Sequence, residues 1–281
     1  MPDTPADAQW FRRYRPSPDA TARLVCLPHA GGSAPFFHPV AAALSPAVDV
    51  VAVQYPGRQD RRSEPALTDV RDLADRIQAI MLRQPHLPTT FFGHSLGSII
   101  AFETIRRLEA GGYEPVHLFA SGRRAPSARR DESVHLRDDD GILAEIRGLD
   151  GTASSLLDDA DLMRATLPAL RADYTAAESY RCDPGATVDC PVTVLTGDSD
   201  PRTTLAEANA WAGHTTGPSI IRVFTGGHFF LIPHAAEVTG LLKDHFEQQP
   251  SARRLLGRRA RGRWLARARP GGDGISRCCP R

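Results

Sequence analysis

Lysine is nearly missing from this sequence: Lys243 stands alone beside 33 arginines. That bias speaks of coding-sequence composition rather than of chemistry. Cysteine is sparse, with five residues in all. Cys26 and Cys190 sit in or beside apolar runs, Cys182 lies in a loop-like stretch, and Cys278 and Cys279 close the chain. An odd, scattered set excludes a disulfide-stapled scaffold, and none of the five has metal-ligand spacing with histidine; a reducing cytoplasm is expected. No apolar run approaches the ~18 residues that a membrane span needs. Met1 to Arg15 is polar, proline-bearing and of mixed charge, so no secretory leader is expected. Internal repeats are lacking as well.

The formal net charge of +1 is unevenly spread. Residues 251–281 hold ten arginines against one acid, Asp273, which makes the tail about +9 and leaves the body about −8. An acidic body speaks against nucleic-acid binding by the folded part. The tail, from Pro250 onward, reads as a disordered Arg-, Gly- and Pro-rich segment. The whole chain of 281 residues is 41% hydrophobic and 24% charged, ordinary globular values for one sizeable core.

Apolar runs at Arg23–Leu27, Val48–Val53, Thr90–Phe92, Val116–Ser121, Pro191–Thr196 and Ser219–Phe224 predict strands. Between them lie helical patterns. Phe36–Leu44 is one. Thr68–Leu82 is another, with Thr68 placed to cap it and Val70, Leu73, Ala74, Ile77 and Met81 at helical spacing. This alternation implies an α/β fold with a mostly parallel central sheet and helices on both faces. Residues 1–20 read as a loose leader that Trp10 and Phe11 pin to the body. Residues 21–122 and 183–249 form the core. The interval 123–182 interrupts the alternation. Ile142, Ile146 and Leu149, then Leu167, Leu170, Tyr174 and Ala177, recur every three or four residues, predicting an inserted helical lid.

The stretch Phe91-Phe92-Gly93-His94-Ser95-Leu96-Gly97 is a buried strand running into Gly-x-Ser-x-Gly. A nucleophilic serine on a sharp strand-to-helix turn sits in strained backbone with its neighbours close, and glycines two residues to either side meet that need. A serine nucleophile requires a base, and the base an orienting acid, in the order Ser, Asp or Glu, His. Thr196-Gly197-Asp198-Ser199-Asp200-Pro201 and Gly226-Gly227-His228-Phe229 follow two of the strands in that order. Ser95 is therefore the candidate nucleophile and His228 the candidate general base. Asp200 is the candidate orienting acid, with Asp198 its competitor, more suited to bracing the turn. Leu96 N–H, just after the nucleophile, is the first expected oxyanion donor; the second comes from His29-Ala30-Gly31-Gly32, with Ala30 preferred and Gly31 next. His29 precedes the nucleophile and so has the wrong order for the base; it reads as a loop-positioning residue. His94 reads as packed or hydrogen-bonded beside the site.

With these residues in place the chain resembles the type II thioesterases of polyketide and nonribosomal-peptide assembly lines, over about residues 10–245. The blocks that carry the resemblance are Leu27-Pro28-His29-Ala30-Gly31-Gly32, Gln54-Tyr55-Pro56-Gly57-Arg58-Gln59-Asp60-Arg61, Gly93-His94-Ser95-Leu96-Gly97, Gly197-Asp198-Ser199-Asp200-Pro201 and Gly226-Gly227-His228-Phe229. Ser121-Gly122-Arg123-Arg124-Ala125-Pro126 and Leu170-Arg171-Ala172-Asp173-Tyr174 look like the polyketide branch. The resemblance implies an α/β-hydrolase fold and hydrolysis of acyl groups from the phosphopantetheine arm of acyl or peptidyl carrier proteins. It implies no metal and no redox cofactor, pantetheine entering as part of the substrate. Arg58, Arg61 and Arg62 are candidates to meet an acidic carrier surface, with a solvated basic loop as the alternative. A monomer that works without nucleic acid or membrane is expected. The rival functions are a chain-terminating thioesterase, which the lack of an upstream carrier module disfavours, a general carboxylesterase or lipase, and a non-catalytic hydrolase-like binding protein.

Overall fold

Each apolar run becomes a strand of one sheet in the computed structural model, which describes residues 4–149 and 160–249. The strands are β1 (Phe11–Arg12), β2 (Arg23–Leu27), β3 (Asp49–Val53), β4 (Thr89–His94), β5 (His117–Ser121), β6 (Val192–Gly197) and β7 (Ser219–Phe224). Their spatial order is β1-β3-β2-β4-β5-β6-β7, with β1 antiparallel to β3 and every other pair parallel. Helices α1 (Pro5–Trp10), α2 (His38–Leu44), α3 (Val70–Met81), α4 (Leu96–Ala110), α5 (Asp139–Arg147), α6 (Ala160–Ser179), α7 (Leu205–Asn209) and α8 (Ala235–Gln248) fill the connections.

The inner strands β2 to β6 are buried along almost their whole length because both faces are covered, whereas the edge strand β7 is largely exposed apart from Phe224. Val25, Leu27, Val51, Val53 and Phe91 point to one face and pack against Leu73 and Ile77 of α3 and Ile99 and Phe102 of α4. Leu24, Cys26, Val50, Ala52 and Phe92 alternate to the other, beneath Ala41 and Leu44 of α2 and Val238 and Leu242 of α8. Each large side chain removed from water in this way is worth roughly 1.5–3 kcal/mol.

Two local expectations are corrected. The cap of α3 is Asp69, whose carboxylate accepts Arg71 N–H at 2.6 Å, and not Thr68. Residues 4–12 of the expected loose leader are ordered. Thr4 caps α1 by accepting Asp7 N–H, Asp7 pairs with Arg83, and Phe11 lies opposite Val53 in β1 with 2% of its surface exposed. The lone apolar pair Trp10-Phe11 was too short to read as a strand, and its pairing partner is 42 residues away.

Between β5 and β6 the described residues form a short 3-10 turn (Val134–Leu136), α5 and α6. Val134, Ile142, Leu167 and Leu170 make a small apolar core of their own, with Ile146 and Tyr174 against it. The heptad-like spacing seen in the sequence is thus the seam between α5 and α6. The predicted Arg-rich tail, 250–281, lies outside the described residues, as do 150–159 within the lid interval.

Candidate active site

The chain reverses direction across the sheet between β2 and β4. From β2 it crosses to β3 on one side, and it returns to β4 on the other. Loops after neighbouring strands part there and leave a crevice at the carboxyl edge. Leu27, the last residue of β2, is level with Gly93 of β4, so the loop His29–Gly32 and the turn at Ser95 flank that crevice.

Ser95 caps α4 at φ 53°, ψ −116°, a conformation that a non-glycine residue holds only under constraint from its surroundings. The constraint is visible. Ser95 N–H donates to Ser121 O at 2.8 Å. A Cβ on Gly93 would lie 2.3 Å from Gly97 O, and one on Gly97 would lie 2.1 Å from Leu27 O, so both glycines are required by close backbone approach. Ser98, which the sequence did not single out, bolts the turn to β5. Its hydroxyl lies 2.8 Å from Gly93 O and 3.0 Å from Ser121 O, to which it donates, and it accepts Ser121 N–H at 3.1 Å.

His228 follows β7 and Asp200 follows β6. His228 Nδ1 lies 3.1 and 3.0 Å from the two oxygens of Asp200, and the side chains are 4% and 0% exposed. Asp200 Oδ1 also accepts Arg202 N–H at 2.7 Å, which fixes the carboxylate plane. Asp198 does what its position suggested. It is exposed and accepts Gly226 N–H at 2.9 Å and the Ser199 hydroxyl at 2.8 Å, bonds that lower its pKa. Ser95 and His228 line one cavity together with Ala30 and Leu96. Among the described residues no hydrogen bond joins Ser95 Oγ to His228. Nδ1 is occupied by Asp200, so Nε2 is the ring nitrogen that remains unspent.

The donors sort themselves by elimination. Gly31 N–H is spent on Asp173 Oδ2 at 2.7 Å and Gly32 N–H on His29 O at 2.9 Å. Among the described residues Ala30 N–H and Leu96 N–H have no acceptor, and both residues face the cavity. Two free backbone N–H groups beside a strained serine are suited to a developing oxyanion.

His29, His94 and His228 pack as a row of rings. Centroids of His29 and His94 are 5.7 Å apart, those of His94 and His228 5.2 Å, and Phe229 stands edge-on to His29 and His228. Burial, then His228 and Arg58, pushes the His29 pKa down to about 3; burial, then His228 and His29, holds His94 well below the usual range. His94 Nδ1 is 3.0 Å from Ser121 Oγ.

Tyr174 and Ala177 of α6 and Leu149 after α5 overhang the cavity, so the predicted helical segment covers the site. Charged side chains, Arg123, Glu132, Glu178 and Arg202, complete the wall, and none was anticipated. Two expectations for the basic loop fail. Arg58 and Arg61 are buried, at 7% and 4% exposure, and face inward: Arg58 pairs with Asp173, and Arg61 with Glu64 and Gln54 O. Only Arg62 of the three is exposed. Arg58 finds its partner on α6, 115 residues along the chain, and Arg61 is drawn inward by Gln54 O as well as by the neighbouring Glu64, which a charge count along the chain does not show.

Residues 22–246 match the Thioesterase domain family. The chain belongs to the thioesterase family. Within it the chain is 55% identical over 236 residues to the "Probable cadicidin biosynthesis thioesterase" of Streptomyces griseus, covering 83% of this chain and 65% of that relative. It therefore spans just under two thirds of that protein's length. It is 48% identical over 252 residues to thioesterase PikA5 of Streptomyces venezuelae, covering 87% and 89% of the two. The solved structure of the type II thioesterase BorB from the borrelidin biosynthetic cluster superposes with a TM-score of 0.80 at 49% identity, over 84% of this thioesterase and 97% of BorB. The fold is thus the α/β-hydrolase fold that the resemblance implied, with the mostly parallel sheet expected from the strand–helix alternation. Among the described residues no helix is long and apolar enough to cross a membrane.

Proposed function

We propose that this thioesterase hydrolyses acyl groups from the phosphopantetheine arm of carrier proteins in polyketide or nonribosomal-peptide biosynthesis, as a free-standing editing enzyme acting in the cytoplasm. The observation that carries the chemistry is the buried Asp200–His228 pair opening into the cavity of a strained serine with two unspent N–H donors. The kinship with the probable cadicidin biosynthesis thioesterase and with the type II thioesterase BorB of the borrelidin biosynthetic cluster supports the biosynthetic setting.

In this reading Ser95 Oγ attacks the thioester carbonyl while His228 Nε2 takes its proton. The carbonyl oxygen becomes an oxyanion held by Ala30 N–H and Leu96 N–H. The carbon–sulfur bond breaks, the sulfur takes the proton from His228 and leaves as thiol, and an acyl-Ser95 ester and a neutral His228 remain. Water, deprotonated by His228, attacks that ester and frees a carboxylic acid and Ser95. Asp200 keeps the Nδ1 proton in place and stabilises the imidazolium. No step calls on a metal or redox cofactor. The overhanging lid residues shield the ester from bulk water and set the size of the acyl group.

The test is turnover of carrier proteins loaded with short, decarboxylated and full-length chains, beside free acyl thioesters and oxygen esters. Release from carriers at kcat/KM well above that for oxygen esters is expected. Faster hydrolysis of oxygen esters than of any carrier-bound thioester would make it a general carboxylesterase, and release confined to full-length chains would make it a chain-terminating enzyme.

A further inference from the structure

The loop that carries Ala30 is held from above, by the lid. Asp173, on α6, has a side chain 1% exposed. Its Oδ2 accepts Gly31 N–H at 2.7 Å. The same carboxylate takes both terminal nitrogens of Arg58, at 2.8 and 2.7 Å, and Arg58 Nη1 reaches on to Gly32 O at 3.2 Å. Leu170, one turn earlier on α6, sits against the loop so closely that a Cβ on Gly31 would lie 2.3 Å from its Cδ2. Gly31 itself is at φ +75°, a conformation reserved in practice for glycine. The peptide linking Ala30 to Gly31 is therefore clamped between α6 and the guanidinium of Arg58.

Resting on the acyl-transfer reading of Ser95, we propose that Asp173 is a positioning residue for the oxyanion hole, which couples the seating of α6 to the placement of Ala30 N–H. Arg58 serves this by neutralising and orienting the Asp173 carboxylate. The arrangement gives the Tyr-Pro-Gly-Arg block its purpose: it supplies, from the loop after β3, the cation that lets a lid carboxylate be buried against a backbone N–H. When α6 lifts to admit an acyl-pantetheine, Gly31 N–H loses its acceptor and the hole loosens. When α6 reseats, the hole is rebuilt over the bound carbonyl, and catalysis is confined to the covered site.

The experiment compares Asp173→Asn with the double variant Arg58→Met/Asp173→Leu. The single variant leaves Arg58 buried without its carboxylate and is expected to lose both stability and rate. The double variant removes both charges, so its thermal midpoint returns towards that of the wild-type enzyme. Its kcat is nevertheless expected to stay about 30-fold down, a partial loss of one oxyanion donor, with KM within about 3-fold. Affinity for an alkylboronic acid, whose tetrahedral Ser95 adduct places an oxygen in the hole, falls by the same factor as kcat/KM. A double variant that is folded and within about 3-fold of wild-type kcat, or whose boronate affinity is unchanged, overturns the proposal. Should wild-type enzyme fail on every acyl thioester, it is the functional reading that fails; the rate of phosphonate labelling of Ser95, which needs the hole but no particular acyl chain, then carries the same comparison.

Discussion

Replacing Asp200 by asparagine keeps the size of the side chain and reverses one hydrogen bond, and the structure says which. Asp200 Oδ1 accepts Arg202 N–H at 2.7 Å, and a backbone N–H can only donate. The amide oxygen of the variant must take that place. Its NH2 group then occupies the site of Oδ2, 3.0 Å from His228 Nδ1, and donates to it. Nδ1 is forced to accept, so the ring proton moves to Nε2, the nitrogen that should remove the proton of Ser95. The variant also lacks the negative charge that stabilises the imidazolium inside a pair whose side chains are 4% and 0% exposed. Together the wrong tautomer and the lost charge should lower kcat by about 10³–10⁴, or roughly 4–5.5 kcal/mol of barrier. Hydrolysis of an acyl-pantetheine thioester, followed through release of the thiol, measures it, and an unchanged thermal midpoint shows that the fold survives. Asp198→Asn is the control; the exposed turn brace should leave kcat within a few-fold. Near-normal turnover in the Asp200 variant, with a collapse in the Asp198 variant, would refute the assignment.

Three other outcomes follow from the geometry. Ser98→Ala removes the hydroxyl shared between the buried Gly93 and Ser121 carbonyls and the Ser121 N–H, and should cost about 0.5–1.5 kcal/mol in a denaturant titration, with reduced turnover as the elbow loosens. Gly97→Ala drives a methyl group to 2.1 Å from Leu27 O, a backbone atom that cannot yield, and should give little folded enzyme on expression. Acidification should destabilise the protein: His29 and His117, both pushed down to about 3 chiefly by burial, take up protons below pH ~6.5 only when unfolded. The unfolded chain then binds more protons than the native one, so between pH ~6.5 and about 3 each ring removes roughly 1.4 kcal/mol of stability per pH unit. Urea midpoints independent of pH across 4.5–7 would contradict this.

The parts of the molecule that could be read in advance are those encoded locally. β-branched and aromatic runs specify the strands, the inner ones buried on both faces, and the helices between β5 and β6 announce their shared seam through Ile142, Leu167 and Leu170. Ser95, Asp200 and His228 could be nominated in advance because chemistry dictates both their types and their order, and the structure sets Asp200 against His228 and lines one cavity with Ser95 and His228. What escaped depends on partners distant in the chain. Arg58 looked like a surface charge because Asp173 is 115 residues away, and only that same carboxylate shows that the Gly31 N–H is already spent. Ser98 looked like any serine in a first helical turn until β5 was laid beside it. The short β1 escaped for the same reason, since its stability comes from β3 rather than from its own two residues.

The central claim is that Ser95 is activated by the Asp200–His228 pair, and labelling with an alkyl fluorophosphonate addresses it directly. Intact-protein mass should rise by one adduct, peptide mapping should place it on Ser95, and the adduct should be absent in Ser95→Ala and orders of magnitude slower to form in His228→Ala. Wild-type enzyme that takes up no label, or label that survives the loss of the Ser95 hydroxyl, would contradict the account.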